Sequence, residues 1–240
     1  MPNWTENDLY IKCNTPERAR EVKAAIQGEK RDFDFNRIIR MPESIANTES
    51  GSRNADDIAA YCKNAGIALA PRECGFLVDP REVDPSRGNP EVGKVLYENI
   101  QKYGFPTWYE WACRNWGTKW NAAESSLDCP CPCVVHVRFS TAWCAPLPVI
   151  EALSRMFPDA EITLDSRYEG GEAPTRDVYL NGEVVFRGEW GTEIVDENTG
   201  NKFESWDAVP HDYDGDLVER LVPEKTAWYG NPDFRYGYCE

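Results

Sequence analysis

The chain has 240 residues, and 41% of them are hydrophobic, which is enough to bury a core. Its 41 acids and 26 bases give a formal net charge of −15, a sign that repels nucleic acids and membrane surfaces and attracts basic partners. No apolar run approaches the roughly 20 residues of a membrane-spanning helix, and the first residues lack the pattern of a signal peptide. We therefore expect a globular, cytoplasmic protein that binds neither nucleic acid directly nor a membrane.

The predicted elements begin with a strand, a helix and a second strand. Apolar and polar residues alternate over Asn7–Cys13, which is typical of a half-buried strand. Thr15 and Pro16 are of the types preferred at the start of a helix, and Gly28 is suited to its end. The segment Phe33–Ile39 is predicted as the second strand, so the chain opens with a β-α-β unit.

Helices are predicted between this unit and the next strands. Residues 42–90 are rich in Ser, Asn, Gly, Pro and charge, which indicates an irregular excursion around a short helix at about 55–64. A clearer helix spans about 90–104. The capping-box pattern Thr107–Glu110 then opens another helix, which is predicted to end near Gly117.

A second β-α-β unit is predicted over about 134–168, followed by a hairpin. Alternating apolar residues indicate a strand over Val134–Ser140. The next helix begins near Pro146 and ends before Pro158, and another strand follows it. The segment 178–186 has Asn-Gly at its centre, which favours a hairpin with a two-residue type I′ turn.

Two β-α-β units on one antiparallel sheet predict an α+β fold of the ferredoxin-like type with an inserted helical segment. We divide the chain into an N-terminal β-α-β unit with helices at 1–120, a ferredoxin-like unit at 121–195 and an acidic, aromatic-rich extension at 196–240. The alternative is one interleaved domain into which helices 90–120 are inserted. Periodicity does not decide between these two arrangements.

Four stretches of the chain share their pattern with a known family; they are Met1–Leu9, Phe33–Glu43, Tyr103–Ala122 and Thr141–Leu153. Together they resemble the YubB-like family of phage and plasmid proteins, which has a domain of unknown function and a ferredoxin-like C-terminal domain. The resemblance implies a mobile-element protein that acts in a bacterial cytosol, and it brings no catalytic residues. Residues 129–133 and the acidic last third depart from the family's pattern.

A run of three cysteines separated by prolines is a candidate metal site. The thiolates of Cys129, Cys131 and Cys133, with His136 or Cys144, are of the types that bind zinc. The spacing favours a rigid loop before a strand instead, because zinc cysteines usually lie farther apart and proline stiffens the backbone between them. We expect no cofactor, with zinc as the alternative, and we expect most of the nine cysteines to be reduced, buried thiols.

Motifs for catalysis are sparse. The chain has two histidines, and it lacks a nucleophile elbow, a phosphate-binding loop, a zinc-protease motif and a dinucleotide fingerprint. The acidic run His211–Asp216 lacks the glycine and glutamate positions of an EF-hand. Cys144 is either an activated thiol or a buried one, and we favour the buried thiol. We assign no catalytic residue.

The negative charge is concentrated towards the C-terminus. Residues 159–240 hold 20 acids and 7 bases, whereas residues 1–158 hold 21 acids and 19 bases. Aromatic residues lie among these acids, which suits a surface where rings anchor a partner and carboxylates select a basic one. The predicted partner-binding residues are Trp206, Asp207, Asp212, Asp214, Asp216, Trp228, Tyr229 and Asp233.

The leading hypothesis is a non-enzymatic binding or inhibitor protein from a mobile element. Its acidic surface would mimic nucleic acid and occupy a basic, nucleic-acid-binding site on a host protein, such as a CRISPR effector or a restriction system. The choice of a defence system as target follows from the resemblance and not from charge. Two alternatives stay open: a metal-dependent enzyme acting on nucleotides or nucleic acid, and a structural or assembly module that forms a homo-oligomer.

Overall fold

The computed structural model describes residues 3–68, 83–170, 174–189, 191–204 and 206–222. Among these residues, no helix is both long enough and apolar enough to span a membrane. The chain divides into two compact units. The first consists of Met1–Asp34 and Ala122–Glu240, and the second consists of Phe35–Asn121. In chain order the strands and helices are β1 (Trp4–Lys12), α1 (Pro16–Ile26), α2 (Glu43–Ala46), α3 (Asn54–Ala65), α4 (Pro90–Tyr103), α5 (Trp108–Asn115), β2 (Ala123–Cys131), β3 (Val134–Ala142), α6 (Leu147–Met156), β4 (Glu161–Tyr168), β5 (Thr175–Leu180), β6 (Glu183–Glu189), β7 (Gly191–Asp196), β8 (Lys202–Phe203) and β9 (Leu217–Val222).

The first unit is built on a six-stranded sheet with the order β2-β3-β1-β4-β5-β6, in which every neighbouring pair is antiparallel. With α1 and α6, strands β1 to β4 follow the βαββαβ plan of the ferredoxin-like fold. Strands β5 and β6 extend the sheet as a hairpin. Asn181 and Gly182 at its turn have positive φ angles of 51° and 79°, as a type I′ turn requires. The predicted α+β, ferredoxin-like fold is confirmed.

The N-terminal strand lies in the middle of this sheet. Leu9 of β1 is opposite Val137 of β3 on one side and opposite Leu164 of β4 on the other. Residues 1–34 therefore complete the sheet that the later strands form. This arrangement corresponds to the predicted interleaved domain and not to the predicted division of the chain at residue 120. The helical insertion spans 35–121 and is longer than the 90–120 of that alternative.

The predicted second strand at Phe33–Ile39 is wrong, because Phe35–Arg37 forms a 3-10 helix. Two backbone hydrogen bonds illustrate the difference from a strand. The N–H of Ile38 donates to the Phe35 carbonyl at 3.0 Å, and the N–H of Phe35 donates to Asn121 Oδ1 at 2.9 Å. The second strand of the fold is β2 instead. Its polar sequence contains a proline, which is tolerated because β2 is an edge strand of the sheet.

Helices α1 and α6 bury apolar stripes that complete the core of this unit. The buried residues of α1 are Ala19, Val22 and Ile26, which are the residues that the helical spacing predicts. Those of α6 include Ile150 and Leu153. Each such aliphatic side chain stabilises the fold by about 1.5–3 kcal/mol when fully buried, so the two stripes hold the helices on the sheet.

The second unit contains helices α2 to α5, of which α3 and α4 pack closely. Ile58, Leu96 and Ile100 belong to one apolar cluster between these two helices. Gly93 of α4 allows the close approach, because a Cβ at this position would lie 1.8 Å from the carbonyl oxygen of Asp57. A larger residue would force the helices apart, so this glycine is required by the packing.

Candidate partner-binding surface

The acidic C-terminal region contains a second sheet. Strand β7 is its centre, with β8 on one side and β9 on the other, and both pairs are antiparallel. Ile194 and Val195 of β7 are 1% and 4% exposed. The acids of this region are thus carried by a sheet that has apolar side chains of its own.

Asp196, at the end of β7, is a buried carboxylate that is 2% exposed. Its Oδ2 accepts hydrogen bonds from the Tyr213 hydroxyl at 2.6 Å and from the Thr199 hydroxyl at 2.7 Å, and its Oδ1 accepts from the N–H of Asn198 at 2.9 Å. The bond from Tyr213 and then that from Thr199 are the main causes that lower the pKa of Asp196 to about 2. Asp196 therefore stays charged and ties the turn after β7 to the loop that contains Tyr213.

The loop before β9 is fixed against the same carboxylate. Gly215 lies so close that a Cβ there would be 2.6 Å from Asp196 Oδ2 and 2.6 Å from Tyr213 Cε1. The carbonyl of Asp216 accepts a hydrogen bond from the N–H of Glu197 at 2.9 Å. These contacts give the loop that bears the predicted aspartates one defined conformation.

The exposed carboxylates of this region outnumber its cations. Residues 191–222 hold nine acids and two bases, a net charge of −7. Both bases already lie beside an acid: Lys202 Nζ is 2.8 Å from Glu193 Oε1, and Arg220 Nη2 is 3.5 Å from Glu197 Oε1. The other exposed carboxylates of residues 191–222 form no ion pair with a cation of the described residues. We call this set the acidic surface; its members are Glu204, Asp207, Asp212, Asp214, Asp216 and Glu219.

The structure describes five of the eight predicted partner-binding residues, and all five are exposed. Trp206 begins a short 3-10 helix and is 54% exposed, although large rings are mostly buried in proteins. The four others belong to the acidic surface; they are Asp207, Asp212, Asp214 and Asp216. The remaining three, which lie outside the described residues, are Trp228, Tyr229 and Asp233.

Sequence reasoning missed the residues that fix this surface. Asp196, Tyr213 and Gly215 were not singled out, because the pattern of exposed acids says nothing about which carboxylate is buried. A signal was present, since Asp196 begins the turn-type run Asp-Glu-Asn-Thr-Gly, and Gly200 at its end has a φ of 74° in the structure. An aspartate that precedes such residues often accepts hydrogen bonds from the backbone of its own turn.

His136, a zinc candidate, is engaged by carboxylates and a ring. Its Nε2 lies 2.9 Å from Asp8 Oδ1, and its Nδ1 lies 3.3 Å from Asp128 Oδ1. The ring of Tyr10 stacks on the imidazole with centroids 4.2 Å apart and planes within 3°. These contacts place His136 on the side of the sheet opposite Val135 and Val137, as the alternation predicts.

The cysteine candidates are spread along an edge of the sheet. Cys129 and Cys131 belong to β2 and Cys133 to the turn that follows it. Within the described ranges, no three His, Cys, Asp or Glu side chains are grouped so that they could hold a metal ion.

The expectation that most cysteines are buried is wrong for the seven that the structure describes, since only Cys13 and Cys62 among them are buried. Cys144 is exposed, because it lies in the loop ahead of α6 and not under that helix.

Comparison with a family model supports the ferredoxin-like fold. Residues 115–208 match the model of a family described as the ferredoxin-like domain in Api92-like protein. The chain is similar to the crystal structure of a protein api92 from Yersinia pseudotuberculosis, with 12% identity and a TM-score of 0.44 over 80% of this chain and 99% of that chain. A similarity at this level carries no functional inference. No curated protein matches the sequence.

Proposed function

We propose that this protein is a non-enzymatic binding or inhibitor protein whose acidic surface occupies a basic site on a partner protein. The observation that supports the proposal is the set of six exposed carboxylates without a cationic partner in the described residues. Lys202 and Arg220, the two bases of residues 191–222, are already engaged by other acids. Uncompensated surface charge of one sign speeds the encounter with a partner of the opposite sign and selects against other partners.

A nucleic-acid-binding site is the partner surface that this chemistry fits. Arginine side chains bind carboxylates and phosphates with the same forked geometry, so a row of carboxylates competes for a site that binds a phosphate backbone. Trp206 offers an exposed ring of the kind that anchors interfaces. Because Asp196 and Gly215 fix the loop beforehand, little conformational freedom is lost on binding.

The proposed setting is a bacterial host. We propose that the chain is a YubB-like protein of a phage or plasmid, and that it acts in the host cytosol on a defence system such as a CRISPR effector or a restriction enzyme. The four stretches that resemble this family support the origin. The match of residues 115–208 to a ferredoxin-like domain agrees only with the ferredoxin-like C-terminal domain that this family has.

Charge reversal tests the proposal. The triple variant Asp207→Lys, Asp212→Lys and Asp214→Lys changes the net charge of residues 191–222 from −7 to −1. Exposed ion pairs contribute about 0.2–1 kcal/mol each, so loss of three pairs weakens binding by about 3- to 150-fold. The full chain and the variant are immobilised and exposed to bacterial lysate. We expect the wild type to capture basic nucleic-acid-binding proteins, and we expect an added DNA duplex to displace them. The triple variant is expected not to capture these proteins.

A matched variant separates local charge from overall charge. Glu29, Glu43 and Glu49 are exposed acids outside the acidic surface, and their replacement by lysine makes the same change in total charge. We expect this variant to capture the same proteins as the wild type. Equal capture by both triple variants, or capture that DNA does not displace, contradicts the proposal.

A further inference from the structure

Cys13 and Cys133 are opposite each other at the end of the pairing between β1 and β3. The last paired residues of these strands are Lys12 and Val134. One position farther along, the N–H of Cys13 donates to the carbonyl of Cys133 at 2.8 Å, which continues the same register. Opposite residues of an antiparallel pair have their side chains on the same face of the sheet, so the two thiols face the same side.

The surroundings of the two thiols differ. Cys13 is 5% exposed and follows Leu9 and Ile11 on the buried face of β1, whereas Cys133 is half-buried in the turn between β2 and β3. Burial, and then the neighbouring charges of Asp159 and Cys133, raise the pKa of Cys13 to about 11. Of the two thiols, Cys133 is therefore the one that a small molecule reaches first.

The backbone geometry suits a disulfide. Hydrogen-bonded residues that are opposite each other in an antiparallel pair have Cα atoms about 5.5 Å apart, and disulfides join Cα atoms about 4.4–6.8 Å apart. Both cysteines lie just outside the strands, and the bond from the Cys13 N–H to the Cys133 carbonyl holds their backbones in register. Disulfide formation therefore requires rotation of the two side chains and no change in the pairing of the strands.

Cys131 is a poorer partner for Cys133. It is held in β2 opposite Val134, and Pro132 restricts the backbone between the two cysteines. A bridge between residues that are two apart also requires a strained small ring, whereas Cys13 approaches Cys133 from another strand.

We propose that Cys13 and Cys133, neither of which is disulfide-bonded in the structure, form a reversible disulfide. The oxidant is a low-molecular-weight disulfide. The Cys133 thiolate attacks one sulfur of that disulfide, forms a mixed disulfide and releases one small thiolate. The Cys13 thiolate then attacks the sulfur of Cys133 and releases the second small thiolate. Two protein thiols lose two electrons, the small disulfide gains them, and the two protons pass to the released thiolates.

The bridge would close a long loop that contains α1, the whole helical unit and β2. Such a closure restricts the unfolded chain and adds stability that grows with loop length. It also fastens β1, the strand at the centre of the sheet, to the hairpin at its edge. Oxidation would thus hold β1 in the sheet. In the sequence, the helical insertion separates β1 from the strands that pair with it.

The experiment uses the full, reduced chain equilibrated with mixtures of reduced and oxidised glutathione, then alkylated and analysed by intact mass and by peptide mapping. We expect a product that has lost two hydrogen atoms, a cross-linked peptide pair that contains Cys13 and Cys133, and a higher Tm of that product. Cys13→Ser is expected to abolish the bridge, and Cys144→Ser, an exposed cysteine elsewhere, is expected to retain it.

Three results would overturn the proposal: a bridge between Cys133 and Cys131 or Cys129, a protein that stops at the mixed disulfide with glutathione, and thiols that stay reduced in the most oxidising mixture. Peptide mapping of the wild type distinguishes these outcomes by itself. The test therefore stands even if Cys13→Ser, which replaces a buried residue, fails to fold.

Discussion

Replacement of Gly215 by alanine is expected to loosen the loop that carries Asp212, Asp214 and Asp216, half of the acidic surface. The added Cβ would lie 2.6 Å from Asp196 Oδ2 and from Tyr213 Cε1, which is closer than any ordinary contact between such atoms. Either the loop moves away or the hydrogen bond from Tyr213 to Asp196 breaks. Overpacking of this kind costs about 1–3 kcal/mol. Because each kcal/mol lowers the Tm of a chain of this size by roughly 2–4 °C, we expect the Tm of the sheet-bearing unit to fall by about 2–12 °C.

Differential scanning calorimetry checks this expectation, because it can resolve separate transitions of the two units. Gly170→Ala is the matched control in the same unit, since the nearest atom to its added Cβ is Asn3 Nδ2 at 3.9 Å, and its Tm should equal that of the wild type. Capture of basic proteins from lysate should decrease for Gly215→Ala and not for Gly170→Ala. If Gly215→Ala unfolds at the wild-type temperature and captures the same proteins, the loop is not held against Asp196 and the reasoning fails.

Two further predictions concern Asp196 and Gly93. The folded-state pKa of Asp196 is about 2, below its ordinary value of 3.8, so its stabilising effect is complete above pH 4 and is lost as the pH falls towards 2. The Tm of Asp196→Asn should therefore lie below that of the wild type near neutral pH, and the difference between the two Tm values should narrow between about pH 4 and pH 2. A Tm difference that stays constant when Tm is measured across this pH range contradicts the lowered pKa of Asp196. Gly93→Ala should destabilise the helical unit by about 3 kcal/mol, because its Cβ would lie 1.8 Å from the Asp57 carbonyl oxygen. Gly51→Ala, with 3.9 Å to the nearest atom, is the control, and equal calorimetric Tm values for these two variants would disprove the close packing of α3 on α4.

The elements of the sheet unit could be predicted where apolar periodicity is strong. The helix start at Thr15 and Pro16 and the Asn-Gly turn of the β5–β6 hairpin were both identified from spacing and residue type alone. Strand β2 could not be predicted, because an edge strand needs only one neighbour and tolerates polar residues and proline. The segment 33–39 has strand-like alternation, but the N–H of Phe35 donates to Asn121 Oδ1 and that of Ile38 donates to the Phe35 carbonyl in a local turn.

The pairing of β1 with β3 and β4 could not be predicted either, because it joins residues on opposite sides of an insertion. Alternation within Asn7–Cys13 shows that one face of the strand is buried, but it does not say which strands lie beside it. The candidate surface was predictable as an excess of acids in one part of the chain. Its scaffold was not, because one buried carboxylate, Asp196, looks like its exposed neighbours in the sequence.

The acidic surface lies mostly outside the segment that matches the ferredoxin-like family model. That match ends at residue 208, whereas Asp212, Asp214, Asp216 and Glu219 follow it. A ferredoxin-like sheet occurs in proteins with many unrelated functions, so the fold does not specify what this protein binds. The residues that can specify it are those that the fold does not require. Here such residues carry charge that has no cationic partner in the described part of the chain, and Asp196 fixes the loop that bears Asp212, Asp214 and Asp216. We propose that binding of a basic partner, and not the stability of the sheet, accounts for these residues.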